Sequence, residues 1–154
     1  YIDSGLSYLE VKRKNNKGKT VKKRIKIEQI PTELEGPNKD FVEKLIGGGL
    51  NLKAQHWNKF TRITFVHKTK KERLTIDVNL IFEDTDSQKT DLGDMVIAEV
   101  KQAKRNLASN FIRIIKKERI HPFRISKYCM ASAKLFPLLK RNNFKRKFLH
   151  LNKL

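Results

Sequence analysis

Acidic and basic side chains alternate with other residues in several short runs of this chain. In residues 8–14 (YLEVKRK), Tyr8, Glu10, Lys12 and Lys14 share one parity, and Leu9, Val11 and Arg13 share the other. In residues 21–27 (VKKRIKI), Lys22, Arg24 and Lys26 oppose Val21, Lys23, Ile25 and Ile27. Alternate residues of an extended chain point to the same side. Long cations lined up this way repel each other unless an anion bridges them. Phosphate suits that role, because Arg offers two parallel donors and Lys a compact charge. Lys12, Lys14, Lys22 and Arg24 are therefore candidates for phosphate binding. The carboxylates in the same rows, Glu10 beside Lys12 and Glu99 beside Lys101, would oppose phosphate alone. They make sense with a divalent cation, since Mg²⁺ is commonly held by one or two carboxylates plus phosphate oxygens. Glu10 and Glu99 are the metal candidates. Cross-strand ion pairs with Lys or Arg account for them equally well.

The elements that must position these residues follow from periodicity. Residues 8–14 and 21–27, joined by Asn15, Asn16, Lys17 and Gly18, predict a β-hairpin. Residues 41–46 predict a short helix stopped at Gly47, Gly48 and Gly49. Residues 60–67 and 73–82 predict a second hairpin, 83–93 a polar loop, and 95–101 a fifth strand. Within 73–82, Arg73, Thr75, Asp77 and Asn79 form one row, against Leu74, Ile76, Val78 and Leu80. From residue 106 the period becomes helical. A first helix ends at Lys116, Lys117 and Arg119. A second runs from an N-cap at Ser126 to Phe136, and a basic helical stretch covers 138–151. An open, half-solvated antiparallel sheet explains each strand taken singly. A sheet curled with its charged rows inward would instead form a tunnel, its outward apolar rows covered by the helices after residue 106.

The 154 residues suit a single domain, 1–154, and 35 Lys and Arg against 16 Asp and Glu give a formal charge of +19. Self-repulsion on that scale favours an anionic partner: nucleic acid, an acidic membrane or polyphosphate. The single Cys129 excludes an internal disulfide framework and a Cys-rich metal site, and fits a reducing, cytoplasmic setting. The chain has no apolar run of the roughly 20 residues a membrane helix needs.

Other residues that could do chemistry have plainer readings. Cys129 reads as a small packing residue, and His56, His67, His121 and His150 lack metal-ligand spacing. Asp77 reads as an ion-pair partner of Arg73 or of a Lys on a neighbouring strand. The glycine triplet lacks the Lys-Ser/Thr of a phosphate-binding loop. Lys127 follows the predicted N-cap, where a cation opposes the helix dipole; a bound anion there would satisfy both. A solvent-exposed lysine is the bland alternative.

Five segments, LEVKRK at 9–14, KFTRITF at 59–65, ERLTID at 72–77, AEVK at 98–101 and ISKYCMA at 125–131, together resemble the VTC domain. This is the polyphosphate polymerase domain of vacuolar transporter chaperones and their bacterial relatives, in the triphosphate tunnel superfamily. The resemblance implies an α+β fold: an antiparallel β-barrel of the triphosphate-tunnel type with flanking C-terminal helices. It implies transfer of the ATP γ-phosphate to a growing polyphosphate chain, assisted by Mn²⁺ or Mg²⁺. On that basis Lys12, Arg62, Glu99 and Lys127 are the expected catalytic residues, with Lys22, Arg24 and Lys101 beside the phosphates and Glu99 on the metal. Strands that open the family's barrel have no counterpart before residue 8, so the barrel is expected to be incomplete at its N-terminus: either the sequence is a fragment, or the missing strands come from another chain. Some relatives work with a membrane partner, which would put the chain at the inner face of a membrane. Two other functions stay open. One is a binding module for polyphosphate or inositol phosphates without turnover. The other is a nucleic-acid-binding domain, for which no recognition motif speaks.

Overall fold

A computed structural model describes residues 3–17, 19–49, 51–104 and 106–151. The chain separates into two compact units, residues 1–54 and 55–154. Together they give a mixed α+β protein with antiparallel sheets and, among the described residues, four α-helices. Among the described residues the sheets are a two-stranded and a four-stranded one, and neither closes into a barrel.

In the first unit β1 (Ser7–Lys14) pairs with β2 (Thr20–Ile27), as the alternation predicts. The register sets Glu10 opposite Arg24 and Lys12 opposite Lys22, so the two charged rows fall on one face. Gly18, part of the expected turn, lies outside the described residues. A lone two-stranded sheet is marginal in water. Helix α1 (Gly36–Ile46) packs against β1 and buries Val42. It starts five residues before the predicted 41–46 because Pro37 supplies a preset first turn. It stops at Gly47, whose φ of 91° suits glycine alone.

The second unit is built around β4 (Glu72–Asp84), which pairs with β3 (His56–Val66) on one side. On its other side it pairs with β6 (Ile97–Gln102) through residues 72–77 and with β5 (Lys89–Asp91) through residues 81–83. Strand β5 lies in the stretch expected to be a loop. Its three residues are too few to show a period.

One irregularity organises this sheet. Lys59 faces Ile81 but Thr61 faces Val78, so Phe60 is opposed by two residues of β4. The extra residue is Asn79, held at φ 55°, a left-handed conformation that Asn tolerates better than most residues. A bulge of this kind reverses the facing of everything beyond it. Thr75 and Asp77 therefore share a face with Leu80, Phe82 and Asp84, all of them buried. Leu74, Ile76 and Val78 look the other way. This corrects the row expected from strict alternation, which set Leu80 with Leu74.

Helix α3 (Lys127–Leu135) is capped by Ser126, whose Oγ accepts the Cys129 N–H. It packs on β3, β4 and β5, and Ala131 joins Leu80 and Phe82 in the core. It thus covers the face that carries Asp77. The apolar row of Leu74, Ile76 and Val78 stays half-buried, and Ile63 and Phe65 beside it are exposed. The expected helical cover of the apolar rows is not what α3 provides, because the bulge moves the largest apolar side chains of β4 to the other face. Helix α2 (Asn110–Lys117) is capped by Ser109. Of the basic stretch expected at 138–151, only a short 3₁₀ turn at Asn142–Phe144 and α4 (Lys145–Leu151) are helical.

Candidate functional site

Three charged residues from three elements meet on the covered face of the larger sheet. Arg62 on β3 and Asp77 on β4 are directly paired in the register. The guanidinium donates through Nε and Nη2 to the two carboxylate oxygens at 2.6 and 2.8 Å, the two-pronged geometry that makes such pairs strong. From above, Lys127 in the first turn of α3 donates to Asp77 Oδ2. The ring of Phe60 lies under both cations, 5.1 Å from the Arg62 guanidinium carbon and 4.1 Å from the Lys127 ammonium, close enough for cation–π attraction.

The Asp77 side chain is only 3% exposed, against 36% for Arg62 and 20% for Lys127. Burial on its own would raise the Asp77 pKa. Hydrogen bonds from Arg62 and Lys127, with their charges, outweigh that and hold the carboxyl below its ordinary range. Asp77 is therefore an anion at neutral pH. Two cations against one anion leave the cluster with one positive charge.

The same face continues through the β4–β6 register. Thr64, Thr75 and Glu99 form one cross-strand row, and Val66, Arg73 and Lys101 the next. The Glu99 carboxylate lies 3.5 Å from the Lys101 ammonium, with both side chains about half exposed. Thr75 is buried and its Oγ1 has no hydrogen-bond partner among the described residues, an uncommon state for a buried hydroxyl. It sits one row from the Asp77 carboxylate.

A half-buried histidine anchors the helix that delivers Lys127. His56 Nε2 lies 3.0 Å from Ser132 Oγ, which donates to the Tyr128 carbonyl at 3.0 Å. The His56 and Tyr128 rings are 4.7 Å apart. Burial lowers the His56 pKa, partly opposed by the Tyr128 backbone, so the ring is neutral at pH 7. It holds α3 against β3.

In the smaller unit Lys12, Lys14, Lys22 and Arg24 share one face of the β1–β2 hairpin with Glu10. One Glu10 oxygen is 3.2 Å from the Lys12 ammonium and the other contacts Lys22. The Arg24 guanidinium stands 4.6 Å over the Tyr8 ring. Part of this face lines a cleft of about 580 Å³ that includes Tyr8, Glu10, Lys22 and Arg24.

The residues singled out in sequence thus fall into two sets. Arg62 and Lys127 converge, with Glu99 and Lys101 on the same sheet face; Lys12, Lys14, Lys22 and Arg24 belong to the hairpin. Sequence reasoning missed Asp77 as the anchor and gave it Arg73 or a Lys on a neighbouring strand as its partner, where the structure gives it Arg62 and Lys127. The available signal was a carboxylate flanked on both sides by β-branched apolar residues, Ile76 and Val78. Among the described residues no three His, Cys, Asp or Glu side chains gather as a metal cluster, and no helix is long and apolar enough to cross a membrane.

Compared with known proteins, the chain matches the family model of the VTC domain over residues 2–136, which runs through both units. No curated protein and no solved structure matches it.

Proposed function

The chain belongs to the VTC domain family, and from that premise we propose that its charged sheet faces bind polyphosphate and support metal-dependent transfer of a nucleotide γ-phosphate to that chain. The observation that carries the reading is the meeting of Arg62 and Lys127 at Asp77, on the sheet face that also bears Glu99 and Lys101. The triphosphate-tunnel reading is supported by the hairpin and by the 72–77 part of the larger sheet, each of which bears a charged face opposite a mainly apolar one.

Arg62 and Lys127 attract phosphate oxygens through the positive charge that Asp77 leaves uncancelled. Asp77 also fixes the guanidinium plane before a ligand arrives, so less side-chain freedom is lost on binding. Lys101, half exposed, adds a point charge on this face. In the reaction a terminal oxygen of polyphosphate attacks the γ-phosphorus, the bond to the β-phosphate oxygen breaks, and the nucleoside diphosphate leaves. The positive residues stabilise the charge spread over the transferring oxygens. Lys12, Lys14, Lys22 and Arg24 bind phosphate on the hairpin face by the same electrostatics.

Glu99 fits Mg²⁺ or Mn²⁺, because it is half exposed and one carboxylate completed by phosphate oxygens is a usual set for such ions. When bound, the ion neutralises phosphate charge. Glu10 fits less well, since each of its oxygens already faces a lysine; it spaces Lys12 and Lys22.

A second reading is a polyphosphate-binding module without turnover, favoured by the absence of a closed barrel among the described residues. One experiment separates the two. The chain incubated with ATP and Mn²⁺ is expected to form polyphosphate, and Arg62→Ala to abolish synthesis and weaken polyphosphate binding at least tenfold. Tight polyphosphate binding with no nucleotide consumed would select the binding module. Unchanged binding by Arg62→Ala would sink both readings of this face.

A further inference from the structure

Acidic residues are unevenly spread: residues 119–151 hold nine Lys and Arg and no Asp or Glu. The last part of this stretch lies beyond residue 136, where the match to the family model ends. It carries bare apolar side chains among its cations. Leu138 is 100% exposed, Leu139 52% and Leu149 53%, while Lys140, Lys145 and Arg146 around them are exposed as well. The patch is held in place. Arg141 Nη1 donates to the Ala133 carbonyl at 3.2 Å, tying the turn to the end of α3. Phe123 stacks on His150 of α4 at 4.8 Å. Between α3 and α4 a cleft of about 500 Å³ combines Lys134, Arg141 and Lys145 with Phe148 and Leu149.

Cations alone would suit any polyanion. Exposed leucines beside them do not, because polyphosphate and nucleic-acid backbones give them nothing to pack on, and leaving them in water costs free energy in proportion to area. A bilayer of acidic phospholipid offers both partners in the right order: anionic headgroups at the surface and acyl chains just below. We propose that the turn after α3 and helix α4 form a peripheral docking surface for an acidic phospholipid bilayer, with Leu138 and Leu139 entering the headgroup boundary. This surface is separate from the Arg62–Asp77–Lys127 cluster and does not depend on its function.

The test is co-sedimentation of the 154-residue chain with phosphatidylcholine vesicles, with and without 30% phosphatidylserine, at physiological salt. The chain is expected to pellet only with the acidic vesicles. L138D/L139D should weaken that binding at least tenfold with an unchanged melting temperature, since both side chains already face water. Replacing Lys140, Lys145 and Arg146 by Ala should weaken it about fivefold for each charge removed. No binding to acidic vesicles overturns the proposal. So does vesicle binding that L138D/L139D leaves intact while free polyphosphate competes it away, which would make the patch a general polyanion surface.

Discussion

The hairpin of the first unit and the sheet of the second use the same raw material, a carboxylate with two cations, and obtain different devices. Glu10 lies between Lys12 and Lys22 on an uncovered face, with both lysine side chains more than half exposed. Asp77 lies between Arg62 and Lys127 beneath a helix, almost without solvent. Water screens the first group, and such pairs contribute little to stability. In the second the carboxylate is dehydrated, so Asp77 depends on both of its cations. The difference does not come from the charged residues. It comes from α3, which docks only because Leu80 and Phe82 give it an apolar surface beside the charges. Cover turns an ion pair into a rigid fixture.

Asp77→Asn tests that contrast most severely. It strands two partly buried cations and is expected to destabilise the second unit by roughly 2–4 kcal/mol, the lower end reflecting the exposure of Arg62. Chemical denaturation measures it, and a loss below about 0.5 kcal/mol would mean the cluster is as loosely held as Glu10.

A smaller effect is expected with pH. His56 is depressed in the folded chain, so the unfolded chain takes up a proton first as pH falls through about 6.5. The stability held above that value is progressively lost below it. Asp77, also depressed, adds a further loss only below the ordinary carboxylate range, near pH 4. Melting temperatures recorded from pH 7.5 to 3 should fall in these two stages, and His56→Gln should flatten the first alone. A wild-type melting temperature that stays level between pH 7 and 5 would contradict a His56 held neutral by partial burial.

Glu10→Gln should change least, by no more than about 1 kcal/mol, while raising polyphosphate affinity at the hairpin by removing a negative charge. A larger stability loss, read by the same denaturation, would show that the hairpin pair is covered after all.

Much of this fold was legible in local pattern. Alternation gave both hairpins, Ser126 gave the start of α3, and the two hairpin rows fell on one face because a short turn fixes their register. The failures were non-local. Leu74, Ile76, Val78, Leu80 and Phe82 keep one unbroken parity, and nothing in that rhythm announces that it changes face. Only Asn79, a residue at ease with positive φ, hinted at a break. Asp77 was assigned Arg73 or a Lys on a neighbouring strand because strand neighbours are visible in sequence, whereas Lys127 arrives from fifty residues away on a helix whose docking depends on the bulge.

That one extra residue acts as a phase shifter. A strand with a single apolar rhythm behaves as two strands in series, one with a polar underside and one with a greasy underside, on the same side of the sheet. Lengthening or shortening β4 at either end would change only its reach. Removing Asn79 would instead exchange inside for outside along half the strand, so the placement of the charged cluster rests on a residue that carries no charge and makes none of its contacts.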